Sequence, residues 1–206
     1  EFIKLGHEAH YFWHRRWLPE TYEKAMTSGD GTRIGTVMEL PRGFHENAAM
    51  TEWEKNNEPV AVFPYDADGA VDYVDKMIRL GHFHEIDHNT PGPDEIRKIG
   101  GITFILARTT HGEIGYSLPG EVAMPPAEGL ATLVRFAKAF DLAYKRFEDL
   151  KKTERQMREA QIEVALERVR ARALAMQQPE ELIEVAQVLR HEMGLLGIEA
   201  LETSSI

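Results

Sequence analysis

The period of the apolar positions changes several times along the chain, and each change marks an element. Residues 9–18 (AHYFWHRRWL) are dense in aromatics and bounded by Pro19, which reads as a strand or the end of a helix. Ser28-Gly29-Asp30-Gly31 carries turn chemistry. Residues 32–40 follow, with Ile34, Thr36, Val37, Met38 and Leu40 forming a strand that Pro41 ends. Residues 45–57 hold Ala48, Ala49, Met50 and Trp53 at helical spacing. Residues 60–65 (VAVFPY) predict a short strand, and Asp66 to Asp68 open a helix through Leu80 with Val71, Val74, Met77 and Ile78 on one side. Residues 82–98 read as irregular, because Pro91-Gly92-Pro93 disfavours regular structure locally. Two apolar runs, 101–110 and 113–118, flank His111-Gly112 as a hairpin. With the helix that starts after Pro125-Pro126, the order is β-β-α-β-α-β-β-α: an α+β fold with a small antiparallel sheet and helices packed on it.

That last helix is the most distinctive feature. No Gly or Pro occurs from Leu130 to Gln178, a run of about 50 residues against a usual helix of roughly 11–12. Ala143, Phe147, Leu150 and Met157 keep heptad-like spacing, and Ile162, Leu166, Val169, Ala173 and Met176 step 4, 3, 4, 3, the seam of a parallel dimeric coiled coil. The step from Met157 to Ile162 is five, a register irregularity that would locally unwind a supercoil. Gln178-Pro179-Glu180-Glu181 breaks the run. A second amphipathic stretch follows, with Leu182, Ile183, Val185, Ala186, Val188, Leu189 and Met193, and residues 198–206 read as the first strand of a further domain. The chain opens Glu1-Phe2, so its natural start is expected upstream.

Composition narrows the function classes. The 206 residues are 43% hydrophobic and 28% charged, which excludes collagen-like and wholly disordered chains. No apolar run approaches the roughly 20 residues of a membrane span. Cysteine is absent, which removes disulfides, thiolate metal sites and cysteine catalysis, and agrees with a cytoplasmic setting. The net charge of −10 argues against nucleic-acid binding. The basic stretch 151–172 intersperses its cations with glutamates, and no aromatic residue follows Phe147 to stack on bases.

Candidate chemistry is sparse. His82-Phe83-His84-Glu85-Ile86-Asp87-His88 approaches the H-x-H-x-D-H signature of metallo-β-lactamase-type hydrolases, with one extra residue before the Asp-His pair; His82, His84 and His88 are therefore weak metal-ligand candidates. His7, His10 and His14 fall at i, i+3 and i+7, one face if the segment is helical. Gly29-Asp30-Gly31 with Gly35 misses the dinucleotide fingerprint, and no phosphate loop or nucleophile elbow is present. His191-Glu192 lacks the residues that follow a histidine-kinase phospho-acceptor. No catalytic residue or cofactor is expected.

The runs Arg135 to Phe140, Tyr144 to Leu150 and Glu159 to Arg172, followed by Met176-Gln177 and Glu181-Leu182, resemble the connector that joins GAF-like domains in multidomain bacterial sensor histidine kinases, especially those of Bacteroidetes. Gly101-Ile102-Thr103-Phe104 and Gly115-Tyr116-Ser117-Leu118 stand where the closing hairpin of such a GAF/PAS-like domain would be. The resemblance implies a sensory domain over 1–125, a coiled-coil signalling helix over 126–178 and the truncated start of a second GAF-like domain over 179–206. It implies a non-enzymatic relay in a two-component system: a small molecule binds the sheet domain, the exit helix repacks in a homodimer, and a downstream output domain, a histidine kinase, responds. A covalently held bilin is excluded by the missing cysteine. Two rivals remain, a metal-dependent hydrolase built on the His82/His84/His88 loop and a purely structural dimerisation scaffold.

Overall fold

A computed structural model describes residues 2–27, 34–86 and 92–198. The chain divides into two compact units that meet between Ala143 and Tyr144. The sheet unit therefore keeps the first turns of the long helix as part of its own body, beyond the boundary expected at residue 125.

The first unit is a seven-stranded sheet, antiparallel at every pairing. Its strands are β1 (Phe12–Trp17), β2 (Thr21–Thr27), β3 (Ile34–Pro41), β4 (Val60–Tyr65), β5 (His82–Glu85), β6 (Ile102–Thr109) and β7 (Gly112–Pro119), in the order β4-β6-β7-β1-β2-β3-β5. The helices are α1 (Ala48–Lys55), α2 (Ala67–Leu80), α3 (Pro93–Lys98) and the start of α4 (Ala127–Leu174). The antiparallel α+β architecture expected from the element order is the one observed.

Side chains alternate between the two faces of a strand, so each strand supplies two cores. Trp13, Tyr22, Met38, Leu40, Phe104 and Leu106 face one side, where they pack with Met50 and Trp53 of α1, Ile96 of α3 and Ala70, Tyr73, Val74 and Met77 of α2. The opposite face presents Ile105, Ala107, Tyr116 and Leu118 to Leu133 and Ala137 of α4. Phe2 joins this second core, its ring 4.7 Å from that of Tyr116. β6 is buried on both faces, which accounts for its continuous apolar run.

Local signals set the helix starts. The Asn47 side chain accepts from Met50 N–H at 3.0 Å, and Asp66 accepts from Gly69 N–H at 2.7 Å, two side-chain N-caps. α1 is shorter than the expected 45–57, leaving His45 ahead of the cap and Ala48 and Ala49 exposed. On α2 the buried face is Ala70, Val71, Tyr73, Val74 and Met77, whereas Ile78 points outward.

Three elements escape the hydrophobic pattern. β2 does so because Glu23 and Lys24 interrupt it, although Tyr22, Lys24 and Met26 share one face. The stretch expected to be irregular holds β5, a four-residue edge strand paired with β3, and α3. Pro93 occupies the first turn of α3, where no amide donor is needed, and Glu95 accepts from Gly92 N–H at 3.1 Å. The turn expected at 28–31 lies outside the described residues, as does the strand expected at 198–206 beyond Ile198. The expected hairpin is present: Thr109 pairs with Gly112 across two residues.

The second unit consists of the remainder of α4, a 3-10 turn at Pro179–Glu181 and α5 (Leu182–Leu195). Ala165 and Val185 are buried in it, Arg168 pairs with Glu192 at 3.1 Å, and Arg172 bonds Glu181 and Glu184. Among the described residues no helix is long and apolar enough to cross a membrane.

Gly115 of β7 lies beneath the Trp13 indole, and a Cβ there would stand 2.6 Å from that ring and 2.9 Å from the Ile105 carbonyl oxygen. Gly115→Ala is expected to cost about 1–3 kcal/mol by overpacking. Ile78→Ala, at an exposed position, should stay within about 0.5 kcal/mol. Urea unfolding of the two variants checks this contrast.

Candidate functional site

Across the middle of the sheet, one row of directly paired residues runs Met38, Lys24, Arg15, Glu113, Arg108, one from each of β3, β2, β1, β7 and β6. The row lies on the face covered by α1 and α2. Arg15, Lys24 and Glu113 are all buried, at 1%, 3% and 0% exposure. Charged groups in such a place must be paired or they destabilise the fold.

Arg15 and Glu113 satisfy one another. Arg15 Nη2 lies 2.8 Å from Glu113 Oε2 and 2.7 Å from Oε1. Two indoles complete the carboxylate's coordination: Trp17 Nε1–H donates at 3.1 Å and Trp13 Nε1–H at 3.4 Å. Burial opposes the charge on Arg15, but the adjacent Glu113 outweighs it and raises the guanidinium pKa further. The same guanidinium stacks over Tyr22 at 4.5 Å.

Glu54, from α1, serves the neighbouring groups. It accepts from Tyr22 Oη–H at 2.7 Å and from Arg42 at 2.9 Å, and stands 3.8 Å from both Arg15 and His45 Nε2. Burial would raise its pKa, yet the His45 and Tyr22 hydrogen bonds and the two arginines hold it below the ordinary carboxylate value. The Tyr22 hydroxyl is pushed up to about 12, by burial first and by its bond to Glu54 second. Asn47 N–H donates to His45 Nδ1 at 3.0 Å, so the neutral ring carries its proton on Nε2, toward Glu54. Arg108 is spent on the carbonyl oxygens of Trp53, Glu54 and Glu58.

Lys24 is left over. Its Nζ lies 3.8 Å from Met77 Sδ and 4.7 Å from the centre of the Trp13 ring. Among the described residues no carboxylate comes within ion-pair distance of it. Burial, and then repulsion from Arg15, lower its pKa to about 7 against partial support from Glu113. Lys24 lines a small, partly open cavity of about 40 Å³, walled by Trp13, Tyr73, Met77, Phe104 and Ile102, with His10 and Ser117 also lining it. Two larger grooves lie elsewhere: one of about 430 Å³ in the sheet unit beside His7 and Arg135, and one of about 370 Å³ in the second unit beside Ala165 and Arg168. Neither encloses an unpaired buried charge.

The residues singled out from sequence lie apart from this site. His82 and His84 sit on exposed edge strand β5 with ring centres 5.8 Å apart. His88 lies outside the described residues, and among the described residues no group of three or more His, Cys, Asp or Glu converges on a point. His7, His10 and His14 do not share a helical face, because β1 is a strand. His7 packs on Phe2, His10 lines the cavity, and His14 stacks on Phe140 of α4 at 4.5 Å on the opposite sheet face. His191 is exposed, while Glu192 is buried against Arg168.

The seam residues differ in exposure along α4. Ala143, Phe147, Leu150 and Met157 are exposed. Ile162 and Val169 are half-buried on the side of Ala165, as is Met176 just past the helix end, while Leu166 and Ala173 are exposed. Five residues turn about 140° around a helix. The irregular step from Met157 to Ile162 therefore turns the stripe part of the way around α4, while buried Ala165, eighteen residues or five turns beyond Phe147, stays on the side of that exposed ring.

Sequence reasoning missed Arg15, Lys24, Glu113 and Glu54. A signal was present: Trp13-x-Arg15-x-Trp17 and Tyr22-x-Lys24-x-Met26 each put a cation in the middle of an apolar face, which calls for a buried counter-charge. The chain matches no family model, no curated protein and no solved structure.

A lysine whose pKa falls on folding binds fewer protons in the native state than in the unfolded chain between about 7 and 10.5. Its burial penalty is complete below about pH 7 and fades as the pH rises. Lys24→Met should therefore raise the melting temperature most at pH 6–7, and the gain should shrink toward pH 9.5. Parallel thermal unfolding of the two proteins across that range tests the sign.

Proposed function

We propose that this chain is a non-enzymatic sensory and relay module, in which the GAF-like sheet unit takes up a small molecule and α4, paired in a homodimer, carries the response to a downstream output domain such as a histidine kinase. One observation supports it above others: the sheet that walls the cavity on one face is covered on its other face by the start of α4. Along β1, Trp13 borders the cavity, whereas His14 stacks on Phe140 of α4 and Phe12 packs in the same core as Leu133 and Ala137. A change in cavity packing thus needs to cross only one layer of strands to reach the helix, and closely packed interiors pass displacement on rather than absorb it.

The second support is the open stripe on α4. Phe147, Leu150 and Met157 expose 52%, 55% and 60% of their surfaces in heptad spacing, and Val164 at 50% continues the seven-residue step after Met157. A second copy of the helix would cover this stripe. Val164 also borders the groove that Ala165, Leu195 and Leu196 line within the same unit.

The dimer is tested by light scattering coupled to size exclusion. The chain should elute as a dimer, and Leu150→Glu/Met157→Glu should elute as a monomer with the sheet unit still folded by near-ultraviolet circular dichroism. A monomeric parent chain would overturn the relay. A dimer that no small molecule stabilises against heat would return the chain to a structural scaffold.

A further inference from the structure

We propose that the Lys24 cavity is a binding site for a short-chain carboxylic acid, two to four carbons long, whose carboxylate pairs with the Lys24 ammonium and whose alkyl chain lies among Trp13, Tyr73, Met77 and Phe104. The inference rests on the sensory reading above and names the ligand class that its sheet unit would take.

Three features of the cavity lead there. The first is charge. The buried part of the row holds two cations, Lys24 and Arg15, against Glu113; half-buried Arg108 is taken up by backbone carbonyls, and Glu54 is engaged by Tyr22 and Arg42 and stands 3.8 Å from Arg15. Glu113 gives its oxygens to Arg15, Trp13 and Trp17. Lys24 keeps a sulfur and an aromatic face as its close partners, so an anion that pairs with its ammonium has to come from a ligand. The groups that face Lys24 from the packed elements are Arg15 and Trp13 of β1, Glu113 of β7 and Tyr73 and Met77 of α2. Among these the one anion is already bound.

The second is size. About 40 Å³ of cavity has room for roughly three water-sized probes side by side, which matches a few heavy atoms and excludes a nucleotide or tetrapyrrole without rearrangement. The third is wall chemistry. Apart from Lys24, the lining is mainly aromatic rings, thioethers and branched aliphatics. Ser117 Oγ is occupied by the Tyr11 amide at 3.2 Å. A ligand with one anionic end and a short apolar body satisfies every wall, whereas a sugar or an amino acid would leave polar groups unmet. An ammonium–carboxylate bond is charge-assisted, shorter and stronger than a bond between neutral groups.

The test is thermal unfolding of the full chain at pH 7 and constant sodium concentration. Acetate, propionate, butyrate and hexanoate are compared with chloride and with the matching neutral amides. Propionate and butyrate should raise the melting temperature by several degrees in a saturable manner, hexanoate should do so far less, and the amides should not. Lys24→Met should lose the response, with affinity reduced about tenfold or more, while itself melting higher than the parent, so that loss of binding is not loss of fold. The absence of any stabilisation by the short acids overturns the proposal, and so does a response that survives in Lys24→Met. Failure here with a dimeric chain removes the ligand assignment alone. Success in a chain that light scattering finds monomeric keeps the site and removes the relay.

Discussion

The ion pair of Arg15 with Glu113 is the constraint on which the buried face of the sheet depends. The two residues are direct partners across β1 and β7, and Glu113 also holds the indole N–H groups of Trp13 and Trp17. Three large side chains that line the first core are thus oriented by one carboxylate. Removing either member of such a pair leaves an uncompensated buried charge, at a cost of about 3–5 kcal/mol, more than hydrophobic burial of one further side chain supplies. The same arrangement consumes the row's only carboxylate. Its consequence two strands away is Lys24, a buried base titrating near pH 7 beside an apolar cavity. A buried lysine beside a cavity is a candidate for function, because a structural role would be filled at lower cost by an uncharged side chain.

The antiparallel sheet keeps two kinds of packing apart. Its α1/α2/α3 face buries the Arg15–Glu113 pair and Lys24 among aromatic rings, whereas its α4 face buries an apolar cluster with Thr103 and Thr109 beside it. The long helix begins by burying Leu133 and Ala137 against the sheet, and within the second unit it buries Ala165. Between them runs a stretch whose apolar residues are open. A helix of 48 residues cannot rely on propensity alone, and its exposed middle is held by local pairs such as Lys151 over Phe147 and Thr153 on the Asp149 carbonyl. Lys151–Glu154, an exposed pair at 3.7 Å, contributes little to it.

Much of the fold was legible in the sequence. The β6–β7 hairpin, the Asp66 cap, the strand at 60–65 and the length of α4 follow from periodicity, turn residues and the absence of helix breakers. β2 and β5 were not legible, because Lys24 and Glu23 disguise the first and the second is four residues long at a sheet edge. Pro93 was misleading for a different reason: proline breaks a helix in its interior and begins one at its first turn. The site was hidden more deeply. Histidine clusters attract notice as ligands, yet His82 and His84 are exposed on an edge, while the charges that matter are scattered at positions 15, 24, 54 and 113. Strand register alone brings three of them together, and α1 adds the fourth. α4 was half visible: its five-residue step was in the sequence, whereas the packing of α5 in the same unit was not.

The central claim is that Arg15 and Glu113 act as one unit, and a double-mutant cycle tests it most directly. Urea unfolding of Arg15→Met, Glu113→Gln and the double variant gives the coupling between them. The account predicts that each single change costs about 3–5 kcal/mol and that the double change costs well under their sum, a coupling of at least about 2 kcal/mol. Costs that simply add, within about 0.5 kcal/mol, would contradict it.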